Sequence, residues 1–362
     1  MALKEQFSFD TMATIKTPTD ADVAAVRRVV RDVPMWKNQL ASGDDVIVTC
    51  LPVLTANKIL VADFRGKKVV IKFPMENVFS MVFDLHEQKI VNDMVSLYRG
   101  DLGRNPKVLY VNDVCRVDEF VECRTLTSAD YLDETTMKHL AIELATLHCD
   151  VRLKDRYIAL KDGDVYTIAD RLRGMHETFK VNFPIRRTRM ATQVPEAHQA
   201  LATTVHAAME VLADTAFFMH VLNKCFPASS ELVLSHNDLR SANVLYFSPT
   251  HVQIIDFDGA NLCYRGADIG YMANNRDMQR VPWSQDDLDH FVQSYIDACA
   301  AKGVIVAKDD LMAQVERGKV LSVLFFMTMF GACDNWDIFH QIGFNFMATF
   351  PSLMQKIVAF AA

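Results

Sequence analysis

Two carboxylates and one amide hold the most chemistry in this chain. Asp238 precedes Asn243 by five residues, and Asp256 follows Asp238 by 18. Each aspartate stands just beyond a short apolar run. Leu232-Val233-Leu234 leads into Ser235-His236-Asn237-Asp238, and Val252-Gln253-Ile254-Ile255 leads into Asp256-Phe257-Asp258-Gly259. Strand, polar loop, strand, polar loop is a pattern that projects side chains from one edge of a structure. Phosphoryl transfer asks for this set: a carboxylate to orient and deprotonate an acceptor hydroxyl, and oxygen ligands for Mg²⁺ on the nucleotide phosphates. The spacing matches the H-R-D-x-x-x-x-N loop with its later D-F-G aspartate. Asp238 is therefore expected as the base, with Asn243 and Asp256 as metal ligands. Taken singly, an Asp in a loop is usually a turn former and a His in an apolar run a core residue. The joint occurrence points to catalysis. Arg240, two residues past the base, is a candidate to steady a transferring phosphoryl group, with a surface arginine as the equal alternative.

A cationic partner for the phosphates is expected upstream. Val69-Val70-Ile71-Lys72 copies the V-A-I-K strand whose lysine pairs with the α- and β-phosphates. Its own partner is expected on the next helix, at Glu87 or, one turn earlier, at Asp84. The backbone of Asp118 to Glu122, centred on Phe120 and Val121, is the candidate hinge for adenine.

The elements that must position these residues follow from periodicity. Residues 20–40 read as a polar helix started by Asp20-Ala21-Asp22, with Val23, Val26 and Val30 on one face. Strands are expected over 46–48, 58–62 and 68–73, with a turn at Arg65-Gly66-Lys67, and again near 107–111 and 115–121. A helix over 80–98 carries Phe83, Ile90, Met94 and Leu97 as its apolar stripe. From Thr135 the pattern is mainly helical. The predicted fold is α+β and bilobal, of protein-kinase-like type. A small β-rich nucleotide-binding lobe covers residues 1–122, and a larger helical lobe for catalysis and acceptor covers 123–362.

Bulk properties exclude other classes. The 362 residues carry a net charge of −7, so no basic footprint suggests nucleic acid or an anionic membrane surface. Arg186-Arg187-Thr188-Arg189 reads as a solvated loop. The eight cysteines form no CxxC pair and no zinc-type spacing, as expected of buried thiols in a reducing compartment. Met1 to Gln6 has no apolar signal core, and the longest apolar run, Val320 to Cys333, spans only 14 residues. That fits a buried helix better than a membrane span. A cytoplasmic protein without stable membrane insertion is expected.

His236-Asn237-Asp238 with Asn243, Ile255-Asp256-Phe257-Asp258, and Tyr264-Arg265-Gly266-Ala267-Asp268-Ile269-Gly270 resemble the choline/ethanolamine kinase family. That family reads HND-x4-N, IDFE and YRGxDIG. Phe120 to Thr127, Leu147-His148, and Thr55 with Asn57-Lys58 extend the resemblance. It implies ATP and Mg²⁺ as cofactors and Asp238 as base. It also implies nucleotide contacts from Lys72, Thr55 and Asn57, and an amino-alcohol acceptor, choline or ethanolamine, within phospholipid biosynthesis. It is compatible with a homodimer. His236, Arg265 and Asp268 are structural candidates, with Asp268 bracing the catalytic loop by hydrogen bonds.

The chain departs from the family at three places. Asp258 replaces a Glu, and the segment Leu51 to Asn57 lacks the usual phosphate-loop glycines. Tyr271 to Arg276 stands where the family has N-H-F-x-E-W. An ammonium acceptor needs aromatic faces and acids near the base, for which Tyr271, Phe326, Phe330, Trp336 and Phe346 are candidates, with Asp334 and Asp337. Two alternatives follow from the same residues. A kinase of the same fold acting on an aminoglycoside or another alcohol would carry a more acidic site. A non-catalytic relative would have lost Asp238, Asn243, Asp256 or Lys72, and all four are present.

Overall fold

A computed structural model describes residues 17–37, 39, 46–51, 57–74, 84–127, 129–227, 231–278, 283–336 and 347–362. Thr19 opens the first helix, α1 (Asp20–Val30), through a reciprocal capping box with Asp22. The helix stops at Val30 instead of running to 40, and a turn segment containing Pro34 follows. Strands β1 (Ile47–Cys50), β2 (Asn57–Phe64) and β3 (Lys67–Pro74) precede α2 (Leu85–Asp101), and β4 (Val108–Val111) and β5 (Arg116–Glu119) follow it. The five strands form one antiparallel sheet in the order β1-β2-β3-β5-β4. β2 and β3 join through Arg65 and Gly66, both at positive φ, as a two-residue turn matched to strand twist requires. Leu60, Ala62, Phe64, Val69, Ile71 and Val117 bury one face of this sheet with Val26, Val30 and Trp36.

The inner face of α2 differs from the expected stripe. Val91, Asn92, Val95, Ser96 and Arg99 are buried, whereas Ile90 and Leu97 are each 38% exposed. Phe83 lies outside the described residues. The face is rotated because polar side chains with partners occupy it: Arg99 bonds Asn105 and Glu143, and Ser96 bonds Asn92.

The second lobe is helical around two small sheets. β6 (Arg124–Thr125) leads to α3 (Glu134–His148), α4 (Val151–Leu160), α5 (Ile168–Gln193), α6 (Glu196–Met209) and α7 (Thr215–Cys225). β7 (Leu232–Ser235), β8 (Val244–Ser248), β9 (His251–Ile254) and β10 (Asn261–Tyr264) come next. The chain closes with α8 (Gly266–Met278), α9 (Gln285–Ala300), α10 (Lys308–Ala332) and α11 (Phe350–Ala361). β10 pairs with β7, and β8 pairs with both β6 and β9. α8 and α10 approach closely at Gly270, where an added Cβ would meet the Lys319 backbone nitrogen at 2.5 Å. Arg186 to Arg189 is not a solvated loop but part of α5, which continues through Pro184. Arg186 is fully buried, its guanidinium 5.2 Å from the Phe183 ring and 5.1 Å from Trp336. Burial lowers it to about 10. No single helix among the described residues is long and apolar enough to cross a membrane.

Candidate active site

β7 ends in the first polar loop and β9 in the second, with the β8–β9 hairpin between them. The Ile255 N–H donates to the Asn243 carbonyl at 2.9 Å, which ties the two loops together. Asn237 (φ 59°) and Asp256 (φ 67°) both adopt the left-handed conformation, a strain that persists only where neighbours impose it. At Asn237 those neighbours are visible. The Asp268 carboxylate is fully buried and accepts from the backbone N–H of His236 (2.8 Å) and of Asn237 (2.7 Å). His236 joins the loops again, with Nε2 2.8 Å from the Ile255 carbonyl and Nδ1 accepting the Asp238 N–H at 3.2 Å.

Asp268 is held in turn from α3 and α9. His148 Nε2 lies 3.0 Å from Asp268 Oδ2, and His148 Nδ1 lies 2.8 Å from the Tyr295 hydroxyl. Burial lowers His148, so the neutral ring donates to Asp268 through Nε2 and accepts from Tyr295. Burial alone would raise Asp268, yet the hydrogen bonds it accepts from His148 and from the His236 backbone leave it below the usual carboxylate range. Arg265 reaches the Tyr295 hydroxyl at 3.4 Å and forms an ion pair with Glu231 at 2.9 Å.

Asp238 sits at the mouth of this scaffold. Asn243 Nδ2 donates to its Oδ2 at 2.9 Å, Arg240 Nε lies 3.4 Å away, and the Tyr271 hydroxyl donates to Oδ1 at 2.6 Å. Arg240 therefore rests on the Asp238 carboxylate. The Tyr271 ring faces Phe326 with centroids 5.9 Å apart, and Phe326 stacks on Phe330 at 6.1 Å. A hollow of about 290 Å³ opens here, lined by Ile168, Asn237, Ala267, Tyr271, Leu321 and Phe325.

Lys72 is the cationic centre. Its ammonium lies 2.5 Å from Asp256 Oδ1 and 3.0 Å from Asp258 Oδ2. Burial would raise Asp256, but the Lys72 charge and hydrogen bond hold it well below the usual range. Asp258, for which burial outweighs the same lysine, is pushed up. Asn57 also donates to Asp258, at 2.6 Å, so strand β2 reaches the second loop directly. A neighbouring hollow of about 370 Å³ is lined by Lys72, Pro74, Leu85, Asn92, Arg116 and Asp258.

Several expectations need correction. Glu87 is not the partner of Lys72, because it pairs with Lys161. Asp84 caps α2 through the N–H groups of His86 and Glu87. The residue of α2 that faces the lysine's carboxylates is Asn92, which donates to Asp258 Oδ1 at 2.5 Å and accepts from Arg116 at 2.8 Å. Sequence reasoning missed both Asn92 and Arg116. The available signal was the i, i+4 polar ridge Gln88, Asn92, Ser96 on a helix otherwise read by its apolar residues. Trp336 is fully buried and donates its indole N–H to the Arg186 carbonyl at 2.8 Å, so its ring belongs to the core. Phe330 is also buried, behind Phe326. Asp334 is engaged by Arg189 at 2.7 Å. Phe120 and Val121 are half-buried in the chain leaving β5. Thr55, Asp337 and Phe346 lie outside the described residues.

The donor set suits a hard divalent cation. Asp256 is held ionised, and Asn243 spends its NH₂ on Asp238, which leaves its amide oxygen unshared. One carboxylate and one amide oxygen, with nucleotide phosphates completing the shell, is how Mg²⁺ is commonly held. No group of three or more His, Cys, Asp or Glu side chains arranged for a metal occurs among the described residues.

Comparison with known proteins gives a family and a fold. The family model for choline/ethanolamine kinase matches residues 66–348. An ethanolamine kinase from Plasmodium vivax superimposes with TM-score 0.63 at 15% identity, covering 99% of this chain and 96% of that one. A choline kinase from Cryptosporidium parvum Iowa II gives 0.58 at 17%, covering 92% and 95%. A choline kinase from Streptococcus pneumoniae gives 0.54 at 14%, covering 90% and 97%. No curated protein sequence matches the chain.

Proposed function

The chain belongs to the choline/ethanolamine kinase family, and on that premise we propose that it transfers the γ-phosphoryl group of ATP to the hydroxyl of choline. The observation that carries this reading is the contact set of Asp238. Its carboxylate is aligned by Asn243 and Tyr271, faces Arg240, and lies beside a hollow that Tyr271 and Phe325 help to line. Asp238 orients the acceptor hydroxyl and takes its proton as the oxygen attacks. Lys72 brings positive charge to the nucleotide phosphates, released from Asp256 and Asp258 as they are engaged. Mg²⁺, held by Asp256 and the Asn243 oxygen, would neutralise charge on the β- and γ-phosphates. Arg240 steadies the transferring group. The nucleotide lies between residues 1–122 and 123–362, with adenine along Phe120 and Val121. The Tyr271 and Phe325 rings that line the hollow favour a quaternary ammonium by cation–π attraction. All eight cysteines are free, which suits a cytoplasmic enzyme.

The test is ADP release with choline, ethanolamine, methylated ethanolamines and an aminoglycoside measured side by side. Choline is expected to give the highest kcat/KM. A preference for ethanolamine overturns the choline assignment alone, and no turnover of any amino alcohol at millimolar concentration overturns the acceptor class.

A further inference from the structure

Cys149 and Cys299 are brought together by helices far apart in sequence. Cys149 follows the last residue of α3, and Cys299 lies in the last turn of α9. Their Sγ atoms are 3.6 Å apart. Cys149 is half-buried and Cys299 fully buried. Phosphoryl transfer makes no use of either thiol. Their neighbours are the groups that hold the catalytic loop. His148 is adjacent in sequence to Cys149, Tyr295 is one turn before Cys299 on the same face of α9, and Arg265 Nη1 lies 3.7 Å from Cys149 Sγ.

We propose that Cys149 and Cys299 form an oxidisable pair that a hydroperoxide closes to a disulfide, and that closure loosens the Arg265–Tyr295–His148–Asp268 support of the catalytic loop. In the first step the Cys149 thiolate attacks one peroxide oxygen. An S–O bond forms, the O–O bond breaks, and water or an alcohol leaves. The sulfur of Cys299 then attacks the Cys149 sulfenic acid. The S–S bond forms, the S–O bond breaks, and hydroxide departs as water with the Cys299 proton. Two thiols lose two electrons and the peroxide gains them.

The microenvironment assigns the roles. The Cys149 thiol is drawn down to about 6 by its hydrogen bond with Cys299 and, against burial, by the Arg265 charge. The same hydrogen bond and burial push Cys299 up. Cys149 is thus the attacking thiolate and Cys299 the resolving thiol. A disulfide needs an S–S separation of about 2.05 Å, so the two sulfurs must approach by roughly 1.5 Å. That movement takes the sulfur from Arg265 and shifts Tyr295, and a packed, buried hydrogen-bond network does not deform smoothly.

The structural part of this proposal does not rest on the acceptor assignment, so the test reads it separately. The full chain is treated with hydrogen peroxide, digested and mass-mapped, and amide hydrogen exchange is followed at His236 and Asn237. A Cys149–Cys299 cross-linked peptide is expected, reversible by dithiothreitol, with faster exchange at both amides. Turnover, where a phosphoryl acceptor is in hand, should fall about tenfold. The Cys149→Ser variant should keep its exchange pattern and activity through the same treatment. Absence of the cross-linked peptide overturns the proposal, as does cross-linking that leaves exchange at His236 and Asn237 unchanged, or an equal response in Cys149→Ser. A failure of the kinase reading would appear differently, as no turnover before peroxide is added.

Discussion

Replacing Asp268 with asparagine tests whether one buried carboxylate holds the catalytic loop. Oδ2 meets the His236 N–H and His148 Nε2, and Oδ1 meets the Asn237 N–H at 2.7 Å. Asparagine keeps one oxygen. Set at the Oδ2 position, it still serves two donors, but its NH₂ then faces the Asn237 N–H. One charge-assisted bond is lost, and one buried donor is stranded beside Asn237, whose φ of 59° that bond helps impose. A hydrogen bond to a charged group contributes about 1.5–3 kcal/mol, and a stranded buried donor costs about 1–3 kcal/mol. Asp268→Asn should therefore lose about 3–5 kcal/mol of unfolding free energy. Against a usual total of about 5–15 kcal/mol, the variant stays folded near room temperature. In the folded molecules Asp238 is displaced, and a misplacement of about 1 Å costs on the order of 10² in kcat. The KM for nucleotide should change little, because Lys72, Asp256 and Asn57 do not touch Asp268. Urea unfolding and steady-state ADP release measure both effects. A wild-type midpoint together with a wild-type kcat would refute the argument.

Other substitutions separate the two halves of the site. Lys72→Met keeps the bulk but leaves Asp256 and Asp258 facing each other unneutralised. The expected loss in kcat/KM for ATP is about 10²-fold or more, and a change of only a few-fold would remove Lys72 from the phosphate site. Asn92→Ala strips Asp258 of one donor and Arg116 of one acceptor. Stability should fall by about 2 kcal/mol and the KM for ATP should rise, whereas an effect on the acceptor KM alone would contradict this placement. Tyr271→Phe removes the hydroxyl that aligns Asp238 and should lower kcat, while Trp336→Phe should lower the unfolding midpoint and leave the acceptor KM unchanged. The reverse pattern would return Trp336 to the acceptor site. Acid should act in two stages. His148 is depressed by burial, so its contribution is complete above its unfolded value of about 6.5 and declines as pH falls through the native one. Asp268 is also depressed, so its contribution is present above about pH 4 and lost only as pH falls further, through its native value. Urea midpoints from pH 8 to 3 read both, and a midpoint flat from pH 7 to 5 would contradict the neutral, buried His148.

The amino-acid sequence by itself determined the part of the site built from local chain. Asp238, Asn243 and Asp256 are separated by two loops and one hairpin, and strand alternation with loop length sets where such side chains project. The sheet lobe was legible for the same reason, since β2 and β3 announce themselves by β-branched runs flanking Arg65-Gly66. Strands β8 and β10 were not read, because each takes its register from a partner strand. What only the tertiary structure decided lies across long separations. Lys72 and Asp256 are 184 residues apart, and no periodicity states that the lysine rests on the second loop and not on Glu87. The rotation of α2 about its axis depends on what covers it, and the Arg116–Asn92–Asp258 chain of hydrogen bonds turned a polar ridge inward. The same holds for the aromatic residues near the C-terminus. Helical spacing alone treats Phe326 and Trp336 alike, but α8 approaching α10 at Gly270 left one beside Tyr271, while Arg186 drew the other into the core.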